Sequence, residues 1–192
     1  SGSIFTGEMI EPLTDTDNPM SKMDLGIPYT RRPKAIKFDY KVMLTDAPNR
    51  IRQSGFSKVE TIPGKDMPEM ILILQRRTED ANGNITAKRV GTLLYKFSES
   101  TNGWVEEANF AIHYGDISRQ PFYTSGMGLR NGKNAYYARN SKGKVVPIEE
   151  YGWADASATP THAIVKFDSS HGGAYIGSIG TTLWLDNIKW VY

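Results

Sequence analysis

A chain of 192 residues fits one domain, and with 39% hydrophobic residues it carries enough apolar side chains to bury a core. The 23 Lys and Arg nearly balance 21 Asp and Glu, which removes the electrostatic footprint of a nucleic-acid-binding protein. Cysteine is absent, excluding disulfide frameworks and thiolate metal sites, and no apolar run reaches the ~18 residues that a membrane-spanning helix needs.

The first clear element follows Pro33. Ile36, Phe38, Tyr40, Val42 and Leu44 alternate with Lys37, Asp39 and Lys41, the period of a half-buried strand. Residues 45–68 carry Pro48, Gly55, Pro63, Gly64 and Pro68 and read as a long connection. Met70–Leu74 is unbroken apolar sequence, short enough for a strand covered on both faces. Asn82-Gly83 separates it from Val90–Phe97; this pair suits a tight turn with positive φ, so the two runs are expected to form a hairpin.

Trp104–Tyr114 alternates again, with Ala108, Phe110, Ile112 and Tyr114 on one face. Residues 115–160 are rich in Gly and polar side chains, and a second hairpin is expected within them, Ala135–Arg139 against Lys144–Ile148. Ala163–Phe167 and Ala174–Ser178 read as further strands. In Thr182–Tyr192, Leu183 and Leu185 share one face, whereas Ile188, Trp190 and Tyr192 follow the opposite parity, which places a bulge at Asp186-Asn187. Trp104, Trp184 and Trp190 fall in strands and are assigned to the core. No segment shows three turns of helical periodicity. The expected fold is all-β, a two-sheet antiparallel β-sandwich over residues 1–192 as a single domain.

Catalytic signatures are sparse. There is no Gly-x-Ser-x-Gly turn, and Gly177-Ser178-Ile179-Gly180 matches no phosphate-binding loop. His113, His162 and His171 lack metal-ligand spacing. Glycoside hydrolysis needs two facing carboxyl groups about 5–10 Å apart. Glu106 and Glu107 are neighbours and point to opposite strand faces, so one of them would have to pair with Asp39, Asp116 or Asp168. Asp186 is a candidate ligand for a structural calcium, against the alternative that Asp186 and Asn187 simply form the bulge. Sugars stack their C–H faces on aromatic rings whose polar tips add hydrogen bonds. Tyr123, Tyr136, Tyr137, Tyr151 and Trp153, set among polar residues, are therefore the candidate carbohydrate-binding side chains.

Two segments carry a family resemblance. Near the start, Gly26-Ile27-Pro28-Tyr29-Thr30-Arg31-Arg32-Pro33 leads into Ile36-Lys37-Phe38-Asp39-Tyr40-Lys41. Near the end, Ser169–Ser178 leads into Gly180-Thr181-Thr182-Leu183-Trp184-Leu185-Asp186-Asn187-Ile188. Together they resemble the putative carbohydrate metabolism domain (PCMD) family, found at the C-termini of Bacteroidetes surface and periplasmic proteins. The resemblance implies a jelly roll similar to carbohydrate-binding modules, a polysaccharide or oligosaccharide partner and further domains upstream. It also implies a secreted, periplasmic or outer-membrane-anchored location. It carries no catalytic residues. The expected function is non-catalytic glycan binding through exposed aromatics; a glycoside hydrolase with paired carboxylates and a structural or adhesion module are the alternatives.

Overall fold

The computed structural model describes residues 1–12 and 15–192. Among them are sixteen strands, three single 3-10 turns and no α-helix. The strands are β1 (Ser3–Phe5), β2 (Gly7–Met9), β3 (Met23–Leu25), β4 (Ile27–Pro28), β5 (Ala35–Met43), β6 (Asn49–Arg52), β7 (Glu60–Pro63) and β8 (Glu69–Glu79). They continue as β9 (Ile85–Lys96), β10 (Val105–Ala111), β11 (His113–Tyr114), β12 (Tyr136–Arg139), β13 (Val145–Trp153), β14 (His162–Asp168), β15 (Ile176–Gly177) and β16 (Thr182–Val191).

The all-β class is as expected, but the layers differ from two matched antiparallel sheets. One strongly curled, mixed eight-stranded sheet runs β1-β14-β8-β9-β13-β12, with β4 added to β14 and β11 to β9. Three small antiparallel sheets accompany it: β10-β5-β16, β15-β6-β7 and β2-β3. The β9–β13 pair is parallel, which no hairpin can produce. The chain between these strands crosses through β10 and β11 and returns in the original direction.

Met70–Leu74 is covered on both faces, as its unbroken apolar run predicts. Met70, Leu72 and Leu74 join one core with Ile36, Phe38 and Val42 of β5, where the β10-β5-β16 sheet packs over the large one. Ile71 and Ile73 point into a second core with Leu25, Ile85, Tyr136, Ile148 and Ile164 on the opposite face. Each such buried side chain contributes roughly 1.5–3 kcal/mol, so the doubly covered β8 is the thermodynamic centre of the domain.

Buried charges tie the sheet to its loops. Arg89 and Glu150 are 1% and 0% exposed and pair at 2.5 Å. Glu150 also accepts from Gln75 Nε2 at 2.7 Å, from Arg89 Nε at 2.8 Å and from the Arg130 N–H at 2.6 Å. Arg89 donates further to Thr92, Met127 and Gly128. The pair thereby fastens β8, β9 and β13 to the 127–130 loop.

Several expectations change in detail. The β8–β9 hairpin forms, but over Asp80–Asn84: the Asp80 carboxylate accepts the Asn82 and Asn84 N–H groups, and Gly83 takes φ 88°. The 45–68 connection contains the β6–β7 hairpin. The second expected hairpin is β12–β13, with Tyr136 opposite Ile148. The bulge at Asp186-Asn187 is present, with Asn187 at φ 52°. A matching bulge at Glu107, φ 51°, lies across β5, so Glu106 and Glu107 do not alternate regularly. Asp39 joins the two bulges, accepting the Glu107 N–H and the Asn187 side-chain amide at 2.6 Å each. Trp104 is 47% exposed rather than core, because it precedes an edge strand and follows Gly103 at φ 85°. Trp184 is half-buried with the Lys41 ammonium 4.3 Å over its ring, and Trp190 is half-buried against Tyr29.

Candidate functional site: a groove beside the second core

Strand alternation continues past the second core and sets up a polar floor. Glu69 shares its face with Ile71 and Ile73, while Lys166 and Asp168 share theirs with Ile164. The β8–β14 register then places Glu69 opposite Asp168 and Ile71 opposite Lys166. These side chains line a groove of about 1210 Å³, together with Tyr136, Arg130 and the chain segment 169–179.

Electrostatics separates the two carboxyl groups. Asp168 is buried and accepts hydrogen bonds from the Ser3 hydroxyl and the Lys166 ammonium. Glu69 is half-buried, and its pKa is pushed up, first by burial and then by the negative charge of Asp168. Lys96, Lys166 and Arg130 oppose that rise. The floor thus holds a carboxyl that retains its proton longer than usual beside one engaged by a cation.

The wall formed by 169–179 is anchored on Asp66, itself 5% exposed. Asp66 accepts from Ser170 Oγ at 2.6 Å, the Ser178 N–H at 2.8 Å and the Met67 N–H at 3.1 Å, so one carboxylate grips both ends of the segment. His171 lies 3.2 Å from an Arg50 guanidinium nitrogen, and burial lowers its pKa. Between the two anchors, Tyr175 lines the groove at φ 63°. A bulky residue in the left-handed region carries strain of about 1–3 kcal/mol, which surrounding structure must impose.

The sequence-derived aromatics do not share one surface. Tyr136 lines the groove, buried, with the Arg130 guanidinium 5.1 Å from its ring centre. Tyr137 is half-buried and its hydroxyl accepts from the Asn18 amide at 3.0 Å. Tyr151 is 63% exposed, with the Lys88 ammonium 5.6 Å from its ring, while half-buried Trp153 meets the Arg89 guanidinium at 5.6 Å. Tyr123 is half-buried. Of these five, only Tyr136 is among the groove-lining residues.

The acidic candidates also separate. Glu106 and Glu107 are exposed on the small β10-β5-β16 sheet; Glu107 pairs with Lys37 and Lys189 at 3.1 and 3.0 Å. Asp116 is exposed and accepts the Ser118 N–H. Asp186 is exposed and accepts the N–H of its neighbour Asn187 at 2.8 Å, and no metal-holding group of three His, Asp or Glu residues occurs among the described residues. Asp168 does face another carboxyl, but its partner is Glu69. Glu69, Lys166, Arg130 and Tyr175 escaped the sequence-based search. Parity alone would have put Glu69 with Ile71 and Asp168 with Lys166, but only the strand register brings the two sets together.

No family model matches the chain, and no curated protein matches it. Among solved structures it is similar to a crystal structure described as a putative glycoside hydrolase from Bacteroides thetaiotaomicron, with TM-score 0.58 and 17% identity. That match covers 100% of this chain and 47% of the other. A second, described as a putative glycoside hydrolase from Bacteroides vulgatus, gives TM-score 0.58 and 14% identity, covering 99% and 63%. The chain therefore shares an all-β fold with these proteins and spans about half to two-thirds of their length.

Proposed function

We propose that this is a carbohydrate-associated domain that takes a segment of a glycan chain into the groove lined by Glu69, Lys166 and Asp168. The observation that carries this reading is the groove itself, which combines tyrosines with hydrogen-bonding Glu69, Lys166, Asp168 and Arg130 in a volume of about 1210 Å³. Tyr175 suits a stacking platform: its strained backbone lies between a pair of Asp66 anchors and presents an aromatic residue where the flanking positions are glycine-rich. The fold shared with solved structures described as putative glycoside hydrolases supports the same reading. So does the resemblance of both terminal segments to the PCMD family. That resemblance also motivates placing the curled sheet among jelly-roll relatives, and the chain in a secreted or surface protein with domains upstream.

Affinity electrophoresis against xylan, laminarin, mannan and pectin tests the proposal. At least one polysaccharide retards the wild type, Tyr175→Ala weakens that retardation about tenfold or more, and Tyr175→Phe restores most of it, as expected for ring stacking worth 1–2 kcal/mol. Retardation lost instead in Tyr151→Ala or Trp153→Ala would move the binding surface to the end of β13.

A further inference from the structure

Resting on the groove as a glycan site, we propose that Glu69 and Asp168 form a catalytic pair that hydrolyses a glycosidic bond with retention of anomeric configuration. The pair stands on adjacent strands, directly opposite in register and on the same face. Such partners hold their Cβ atoms about 4.5–5.5 Å apart. Retaining enzymes set their carboxyl groups about 5–5.5 Å apart, whereas inverting enzymes need a wider gap that admits water. Side chains that start this close can bring their carboxyl groups to the close-set spacing with no change in strand position.

The surroundings assign the roles. Asp168 is paired with the Lys166 ammonium and held by the Ser3 hydroxyl, contacts that orient it as a nucleophile. Glu69 sits beside that negative charge and partly out of water, which suits a proton donor. Arg130, whose charge acts on Glu69, lines the same groove and brings a second cation to the pair.

In the first step an Asp168 oxygen bonds to the anomeric carbon as the glycosidic C–O bond breaks. The departing oxygen keeps the bonding electrons and takes the Glu69 proton. In the second step Glu69, now a carboxylate, removes a proton from water as the water oxygen attacks the anomeric carbon and displaces Asp168. One water is consumed, two hydroxyl ends are produced, and both side chains regain their starting states. Lys166 acts as a positioning residue through Asp168.

The test incubates the whole chain with those polysaccharides that retard it, measuring reducing ends and the anomer formed first by proton NMR. Retained-anomer product is expected. Glu69→Gln lowers the rate on polysaccharide about 100-fold or more while retardation persists. On a 2,4-dinitrophenyl glycoside of the cleaved sugar, whose leaving group needs no proton, bond cleavage in Glu69→Gln survives as a burst followed by slow turnover. Asp168→Asn abolishes cleavage of both substrates, with melting temperature and retardation as controls for folding. A glycan that is bound but never cleaved, an inverted product, or full activity in either variant would overturn the catalytic pair and leave the binding role intact. A chain that binds none of the polysaccharides would remove both.

Discussion

Two clusters of charge lie along the large sheet, and they differ in how completely the protein satisfies them. At one, Glu150 accepts four hydrogen bonds from Gln75, Arg89 and Arg130, and almost nothing of the Arg89–Glu150 pair reaches solvent. At the other, half-buried Glu69 faces a second carboxylate on the floor of an open groove. Both clusters use residues of β8 and the strands beside it. A filled hydrogen-bond shell makes the first a fastening of the fold. In the second, burial and the negative charge of Asp168 raise the Glu69 pKa on the floor of an open groove.

Breaking the filled cluster should have the largest effect. Arg89→Met leaves Glu150 buried and unpaired, at an expected cost of about 3–5 kcal/mol in urea unfolding. Adding Glu150→Leu should recover part of that loss, since an apolar pair avoids the desolvation of either charge. If Arg89→Met proves neutral, water reaches Glu150 and the distinction between the two clusters fails. Next comes the groove wall. Asp66→Ala strips the partners from Ser170 and the Ser178 N–H, for an expected 1–3 kcal/mol, and hydrogen exchange should accelerate selectively in residues 169–179.

How far these features could be foreseen depends on whether their cause is local. Met70–Leu74 announced its double burial because nothing polar interrupts it, and the parity change in Thr182–Tyr192 located the Asp186-Asn187 bulge. The β6–β7 hairpin was missed because its residues are exposed or half-buried, leaving no apolar alternation to see. Trp104 was misassigned because hydrophobicity does not report that β10 is an edge strand. The groove was the least legible feature. Glu69 and Asp168 lie 99 positions apart, and their meeting depends on an eleven-residue β8 pairing in one particular register with β14. The five aromatics were chosen by composition, which does not show that Tyr136 and Tyr137 lie in β12 and Tyr151 and Trp153 in β13, with Tyr136 alone of the five at the groove.

A histidine outside both clusters tests the same principle of incomplete compensation. Burial, reinforced by the Arg77 charge, lowers the His162 pKa to about 4 despite the opposing Asp24. Its neutral form is therefore favoured in the folded state, so its contribution to stability is present above the ordinary pKa of 6.5 and is lost as pH falls towards 4. Urea unfolding at pH 7 and pH 4.5 should show His162→Gln reducing this acid sensitivity by about 1 kcal/mol, the shift being discounted for a side chain still partly in water.

The smallest effect separates the clusters most directly, because it has the opposite sign. Glu69 has a raised pKa in the folded state, so folding favours its protonated form. That contribution is present below the ordinary carboxyl range and is lost as pH rises through the higher folded value. Glu69→Gln, which mimics the neutral carboxyl, should accordingly raise the melting temperature by a degree or two at pH 8 and leave it nearly unchanged at pH 4. Glu150→Gln should do the reverse at pH 8, since Arg89 there loses its counter-charge. A stabilising change at one glutamate and a destabilising one at the other would show that the groove keeps Glu69 at a cost to the fold, as expected for a residue held for a ligand rather than for packing. Destabilisation by both would mean that Glu69 too is chiefly part of the scaffold.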